Sequence, residues 1–130
     1  MNRKFLILAG ISGALAVALG AMGAHALKNN LPAENLQTYE TAVKYQFYHT
    51  LALLLVYLLL EKNNSTHLRY AAAFFVTGII LFSFSLYFLA LRPLLSLGNE
   101  ELMWVGAITP LGGLSFITAW VLVFLSALKK

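Results

Sequence analysis

The sequence predicts an all-α polytopic membrane protein in which four transmembrane helices form an antiparallel bundle. Of its 130 residues, 60% are hydrophobic and 11% are charged, a composition unsuited to a water-soluble globule. Four apolar stretches are each close to the roughly 20 residues that cross a bilayer as a helix. None alternates apolar and polar residues as a barrel strand would. We therefore expect one domain, residues 1–130, with spans at about 5–27, 41–60, 70–91 and 102–128.

The first span is rich in small residues at helical spacing. They form one seam along a helix, which comprises Ala9, Gly13, Ala16, Gly20 and Gly23. In lipid, small residues let a neighbouring backbone approach closely. We expect Gly13, Gly20 and Gly23 to serve helix packing and the first helix to be the central packing element. A homo-oligomer interface is the alternative for this seam.

The N-terminus also has some features of a secretory signal peptide. A basic start, Met1 to Lys4, precedes an apolar run and an A-x-A sequence at Ala24-His25-Ala26. The apolar run is longer than the usual hydrophobic region of such a signal. This favours a retained first span.

The second helix is predicted to begin outside the hydrocarbon. Residues 28–32 read as a polar turn ending in Pro32, a residue suited to a helix start. Apolar residues then recur at helical spacing from Leu36 to Phe47, with polar residues on the other side. We expect an amphipathic outer extension that leads into the span ending at Leu60.

Proline and glycine residues predict the end of the third span and a kink and close packing in the fourth. The third span should end at Arg92-Pro93, because the residue before proline avoids helical geometry. In the fourth span, Pro110 removes a backbone hydrogen bond and predicts a kink. Gly106 and Gly113 are expected to pack against neighbouring helices.

The basic residues predict orientation. Six of the nine lie on one side of the four spans, namely Arg3, Lys4, Lys62, Arg69, Lys129 and Lys130. Because short basic flanks stay cytoplasmic, we expect both termini and the 61–69 turn to face the cytoplasm. The predicted location is the bacterial cytoplasmic (inner) membrane. The charge of +4 is thus a topological signal, and no nucleic-acid partner is expected.

Four motifs carry a family resemblance. They are Gly20 to Leu27, Thr41-Ala42 with Tyr45 to His49, Phe82 to Tyr87, and Thr109 to Gly113. In this order they resemble the domain of unknown function 423 family, which includes the vertebrate transmembrane protein 256. The chain departs from the pattern at Phe84 and Ala119, where the family usually has glycine. The resemblance implies a four-helix membrane protein and supplies no activity, substrate or catalytic residue.

Polar residues near the outer boundary form the candidate site. Antiparallel neighbours would place the end of helix one, the start of helix two and the end of helix three at similar depth. We expect an outward-facing pocket for an anionic or quinone-like head group, formed by His25, Tyr45, Gln46, His49 and Arg92. The alternative is that Gln46 and His49 only hydrogen-bond helix ends and the Pro110 kink.

Reactive groups are sparse. The chain has no cysteine, and no nucleophile, base and orienting acid occur together. Two histidines could ligate haem only at equal depth and facing one another. We predict a non-enzymatic protein without catalytic residues, metal or cofactor. It contacts the lipid bilayer and acts as an accessory or assembly partner of other membrane proteins or as a lipid or small-molecule binder. The alternative is a small self-associating transporter or channel.

Overall fold

The computed structural model describes residues 2–96 and 103–129, and all regular structure within them is helical. The helices are α1 (Arg3–His25), α2 (Ala33–Lys62), α3 (Thr66–Gly78), α4 (Phe84–Leu91) and α5 (Met103–Leu128). A π-helical segment, Ile79–Ser83, joins α3 to α4, and a 3-10 turn, Arg92–Leu95, follows α4. Together these segments form the third span, Thr66–Leu95.

Within the described residues, four helical spans are long and apolar enough to cross a membrane, with mean hydropathies from 1.4 to 2.2. The all-α class with four spans is therefore confirmed. α2 begins at Ala33 and continues to Lys62, so the predicted outer extension and the second span form one helix. At about 1.5 Å per residue, its 30 residues exceed a hydrocarbon core about 30 Å thick. Part of α2 consequently lies outside the hydrocarbon.

Helix boundaries follow local chemistry. Pro32 precedes the first residue of α2, where its missing N–H costs no intrahelical bond. Before it, the Asn30 side chain donates to the Ala26 carbonyl at 2.6 Å and helps close the turn after α1. The Ser65 hydroxyl caps α3 by accepting from the Leu68 N–H at 3.4 Å. After α4, Pro93 lies in the 3-10 turn, as the Arg92-Pro93 pair predicts.

Helices that follow one another in the chain pack side by side in opposite directions. Along α1, Ser12 contacts Thr50 and Leu19 contacts Tyr39, so the two helices run antiparallel. The same reversed order joins α2 to the third span, where Asn35 contacts Ala90 and His49 contacts Phe75. It also joins the third span to α5, through Ser85 with Thr109 and Phe74 with Ser115.

The second and third spans form the interior. In the most apolar window of each helix, 39% of α2 and of the third span is buried, against 22% of α1 and of α5. The expectation that α1 is the central packing element is therefore wrong. Its small residues bring it close to α2, while its opposite face stays exposed, as at Ile7 and Val17.

The small-residue seam of α1 faces α2. A Cβ added at Gly23 would lie 2.6 Å from the Tyr39 ring, and one at Gly20 would lie 3.3 Å from Val43. At Gly13 the nearest atom, on Thr50, would be 3.6 Å away, which is an ordinary contact. The α2 side chains thus lie closer to the α1 backbone toward the C-terminal end of α1.

The glycines of α5 differ from the prediction. A Cβ at Gly106 would meet none of the described residues within 4 Å, so the expectation that Gly106 packs against a neighbouring helix is wrong. Gly113 is in loose contact with the Phe82 ring, at 3.9 Å from an added Cβ. The close approach occurs at Gly112, where an added Cβ would overlap the backbone of Phe82. Pro110 lies inside α5, which is helical on both sides of it.

The two glycines of α5 provide a matched test. We expect Gly112→Ala to destabilise the protein by about 1 to 3 kcal/mol, because a helix backbone cannot move aside as a side chain can. Gly106→Ala should leave stability unchanged or raise it slightly, since alanine favours helix and the space is open. Thermal unfolding in detergent measures both. Equal effects at the two positions would contradict the close α5 packing.

Candidate functional site

A buried hydrogen-bonded network joins three spans near the middle of the bundle. Its centre is Gln46 on α2, whose side chain is 0% exposed. The amide group donates to the Ser12 carbonyl on α1 at 3.0 Å and lies 3.3 Å from the Ser12 hydroxyl. On the other side, the Tyr87 hydroxyl of α4 donates to Oε1 of Gln46 at 2.6 Å. One side chain therefore connects α1, α2 and α4.

Thr50 completes this network one turn further along α2. Its hydroxyl donates to the backbone carbonyl of Gln46 at 2.6 Å and lies 2.7 Å from the Ser12 hydroxyl. We call Ser12, Gln46, Thr50 and Tyr87 the polar network. Each of its side chains has at least one partner within it, which is what the absence of water in hydrocarbon demands.

Tyr39 extends the contact between α1 and α2 toward the C-terminal end of α1. Its hydroxyl donates to the Leu19 carbonyl at 2.5 Å, and its ring meets the Tyr87 ring edge-on at 5.3 Å. The ring occupies the space that a side chain at Gly23 would fill. Glycine at this position thus lets a tyrosine of α2 reach the backbone of α1.

His49 lies in a separate, aromatic environment. Its Nδ1 is 2.7 Å from the Tyr45 carbonyl, and because a carbonyl only accepts, Nδ1 carries the proton. The imidazole stacks on the Phe116 ring of α5, with centroids 3.6 Å apart and planes 8° apart. Phe75 and Trp120 lie at 5.7 and 6.1 Å. His49 thus connects α2 to α5 by ring stacking, at 6% exposure.

The five predicted site residues do not meet at one point. Gln46 faces Ser12 and Tyr87, whereas His49 faces Phe116, so the two side chains point to different neighbours. Tyr45 lies beside His49, with ring centroids 5.8 Å apart, and is 40% exposed. In place of the hydrogen bonds to helix ends and the Pro110 kink that were the alternative for His49, its ring stacks on Phe116.

The other two predicted residues lie near helix ends. His25 is exposed at the last position of α1 and is 13 residues beyond Ser12, which corresponds to about 20 Å along the axis. Arg92 is half-buried in the 3-10 turn after α4. The outward-facing pocket of five side chains is therefore not assembled in this structure. Ligand binding by any one of them stays a prediction.

Several residues of the interior were not predicted as site residues. Ser12, Thr50 and Tyr87 complete the polar network, and the isolated polar residues in apolar runs were the available signal for the first two. Ser83 ends the π-helical segment with its hydroxyl fully buried and unbonded within the described residues. Within residues 2–96 and 103–129, no three histidine, cysteine or acidic side chains are placed to share a metal ion.

The polar network yields a stability prediction. Gln46→Leu should destabilise the protein by about 1 to 3 kcal/mol, because it leaves the buried Tyr87 hydroxyl without its partner and removes the bond to the Ser12 carbonyl. Tyr87→Phe should cost less, and the double variant should cost less than the two single costs added together. Thermal unfolding in detergent provides the measurement. Gln37→Leu, at an exposed position on α2, is the control and should have little effect; equal effects at positions 37 and 46 would contradict the network.

Comparison with known proteins identifies relatives over almost the whole chain. UPF0382 membrane protein YwdK of Bacillus subtilis (strain 168) is 40% identical over 128 residues, which cover 98% of each chain. UPF0382 inner membrane protein YgdD of Escherichia coli (strain K12) is 38% identical over 128 residues, covering 98% of this chain and 92% of the relative. UPF0382 membrane protein SSP2132 of Staphylococcus saprophyticus is 37% identical over 127 residues, covering 98% of each. No solved structure shows a significant match.

The family comparison gives the same result as the sequence motifs. The family described as "Protein of unknown function (DUF423)" matches residues 19–113, which contain the polar residues Gln46, Thr50 and Tyr87. The predicted resemblance is confirmed. The chain is a membrane protein that belongs to the DUF423 family.

Proposed function

We propose that the protein is a non-enzymatic accessory or assembly protein of the bacterial cytoplasmic membrane, acting through contacts between its helices and other membrane proteins. The observation that carries this proposal is the polar network, in which both ends of the Gln46 side chain are bonded to neighbouring spans. These interior polar groups hold the helices together. The surface that remains for interaction is the outer face of the bundle.

The flanking helices supply that outer face. On α1, Gly10 and Ala14 are exposed one turn apart, and a Cβ at Gly10 would meet no residue of the described ranges within 4 Å. On α5, Gly106 is exposed, and no described residue would contact a Cβ added there. Helices in lipid associate through such small residues, because backbones can then come close. The relatives named as membrane and inner membrane proteins support the proposed location.

The mass and composition of the native particle test this function. After mild detergent extraction from native membranes, we expect one copy of this chain with a different membrane polypeptide in fixed ratio, measured by native mass spectrometry. Ala14→Phe should lower the recovered partner at least fivefold, because the larger side chain keeps a partner helix away. Ala127→Phe, the same substitution at an exposed position near the end of α5, is the control.

Two other particles would contradict the proposal. A particle with only one copy of this chain and no partner would remove the accessory role. A closed ring of identical chains would instead support a small oligomeric transporter or channel.

Orientation has its own test, since we propose that both termini are cytoplasmic. The chain lacks cysteine, so a single introduced thiol reports its own position. Cysteine at Asn29, between α1 and α2, should react with an impermeant thiol reagent in intact cells. Cysteine at Asn64, between α2 and α3, should react only after the membrane is opened. The opposite pattern would reverse the orientation.

A further inference from the structure

A cavity of about 510 Å³ lies where α1 and α3 begin. Its polar lining includes Asn2, Lys4, Asn64 and Arg69, and its apolar lining includes Phe5 and Tyr70. The two chain segments that form it are distant in sequence and meet because α1 and α3 start at the same end of the bundle. This cavity is separate from the polar network.

The cavity carries uncompensated positive charge. Lys4 and Arg69 are both exposed cations, and no acidic residue is among the described residues that line it. The first turns of α1 and α3 also lack acidic residues. Their helix N-termini add partial positive charge at the same end. Asn2 also lines the cavity, and the N–H groups of its side-chain amide can donate to an anion.

The lining changes from polar to apolar at the boundary of the spans. Lys4 immediately precedes the apolar run of α1, and Arg69 immediately precedes Tyr70, from which the predicted third span begins. Phe5, which is 7% exposed, forms part of the apolar wall. A small inorganic anion would contact only the polar half. An amphiphile with an anionic head and an apolar tail would contact both halves.

We propose that this cavity binds the phosphate group of an anionic phospholipid, with Lys4 and Arg69 on the phosphate and an acyl chain leaving past Tyr70. Basic pockets between transmembrane helices bind lipid phosphates in this manner. Arginine offers paired donors to phosphate oxygens and lysine offers a compact charge. The site does not depend on whether the protein acts with a partner protein.

Native mass spectrometry of the delipidated full chain tests the site. The probes are phosphatidylglycerol and phosphatidylcholine with identical acyl chains, added in increasing amounts to the protein in neutral detergent. We expect one phosphatidylglycerol to bind at least tenfold more tightly than phosphatidylcholine. Lys4→Gln and Arg69→Gln should each weaken phosphatidylglycerol binding about fivefold, since one cation near a lipid surface contributes about that factor.

Lys62→Gln is the matched control, because Lys62 lies at the same end of the bundle and does not line the cavity. It should leave binding within twofold of the unmodified protein. If Lys62→Gln weakens binding as much as Arg69→Gln, the attraction is a general surface effect and the site is wrong. Equal affinity for the two lipids would also overturn it.

Two further measurements distinguish the source of the phosphate and the state of the variants. Millimolar glycerol 3-phosphate should not displace the lipid, and displacement would indicate a site for free phosphate compounds instead. Each variant should unfold in lipid-free detergent at the same temperature as the unmodified protein. Should Arg69→Gln fail this check, Lys4→Gln decides the outcome, because Lys4 is exposed in the first turn of α1.

Discussion

The arrangement of the spans depends on one constraint, which is that a polar side chain inside hydrocarbon must find its partners within the protein. Gln46 meets this constraint by bonding Ser12 on one side and Tyr87 on the other. Its position fixes which faces of α1, α2 and α4 point inward. Apolar packing alone would specify these faces weakly, because leucine and lipid are nearly equivalent neighbours for a helix in a membrane. The hydrogen bonds of the Gln46 amide thus determine the relative orientation of these helices, which apolar contacts alone leave weakly specified.

Close helix approach makes these bonds possible. Gln46 reaches a backbone carbonyl of α1, and Tyr39 reaches another at Leu19. A carbonyl inside a helix is accessible only where the neighbouring helix comes near, and the small residues at Ala16 and Gly23 allow this. On the opposite side of the bundle, Gly112 performs the same role against Phe82. Small residues and hydrogen bonds therefore act together, although they occur in different parts of the sequence.

The spans were predictable because hydropathy and length determine them locally, whereas the candidate site depends on facing directions. The sequence identified Gln46 and His49 as polar residues inside a span, yet they face different neighbours, Tyr87 and Phe116. Their spacing along α2 does not say which helix lies opposite each one. The glycines of α5 show the same limit, since Gly106 and Gly112 have the same local preferences but only Gly112 touches another backbone. The small-residue seam faces α2, but its presence in the sequence did not reveal that α1 lies at the edge of the bundle.

The π-helical segment marks the part of the third span where regular periodicity fails. The five residues Ile79–Ser83 are wound more widely than an α-helix, with hydrogen bonds from i to i+5. The side chains after this segment therefore point in different directions from those that a spacing of 3.6 residues per turn predicts. Beyond this segment, Ser85 bonds Thr109 of α5 while Tyr87 bonds Gln46 of α2. Ser83 itself is buried, and its hydroxyl has no hydrogen-bond partner in the described part of the chain, which costs free energy in a low-dielectric interior. The third span therefore combines an unfavourable local group with two favourable contacts on opposite sides. The π-helical segment is tolerated because Ser85 and Tyr87, which follow it, form hydrogen bonds to α5 and α2.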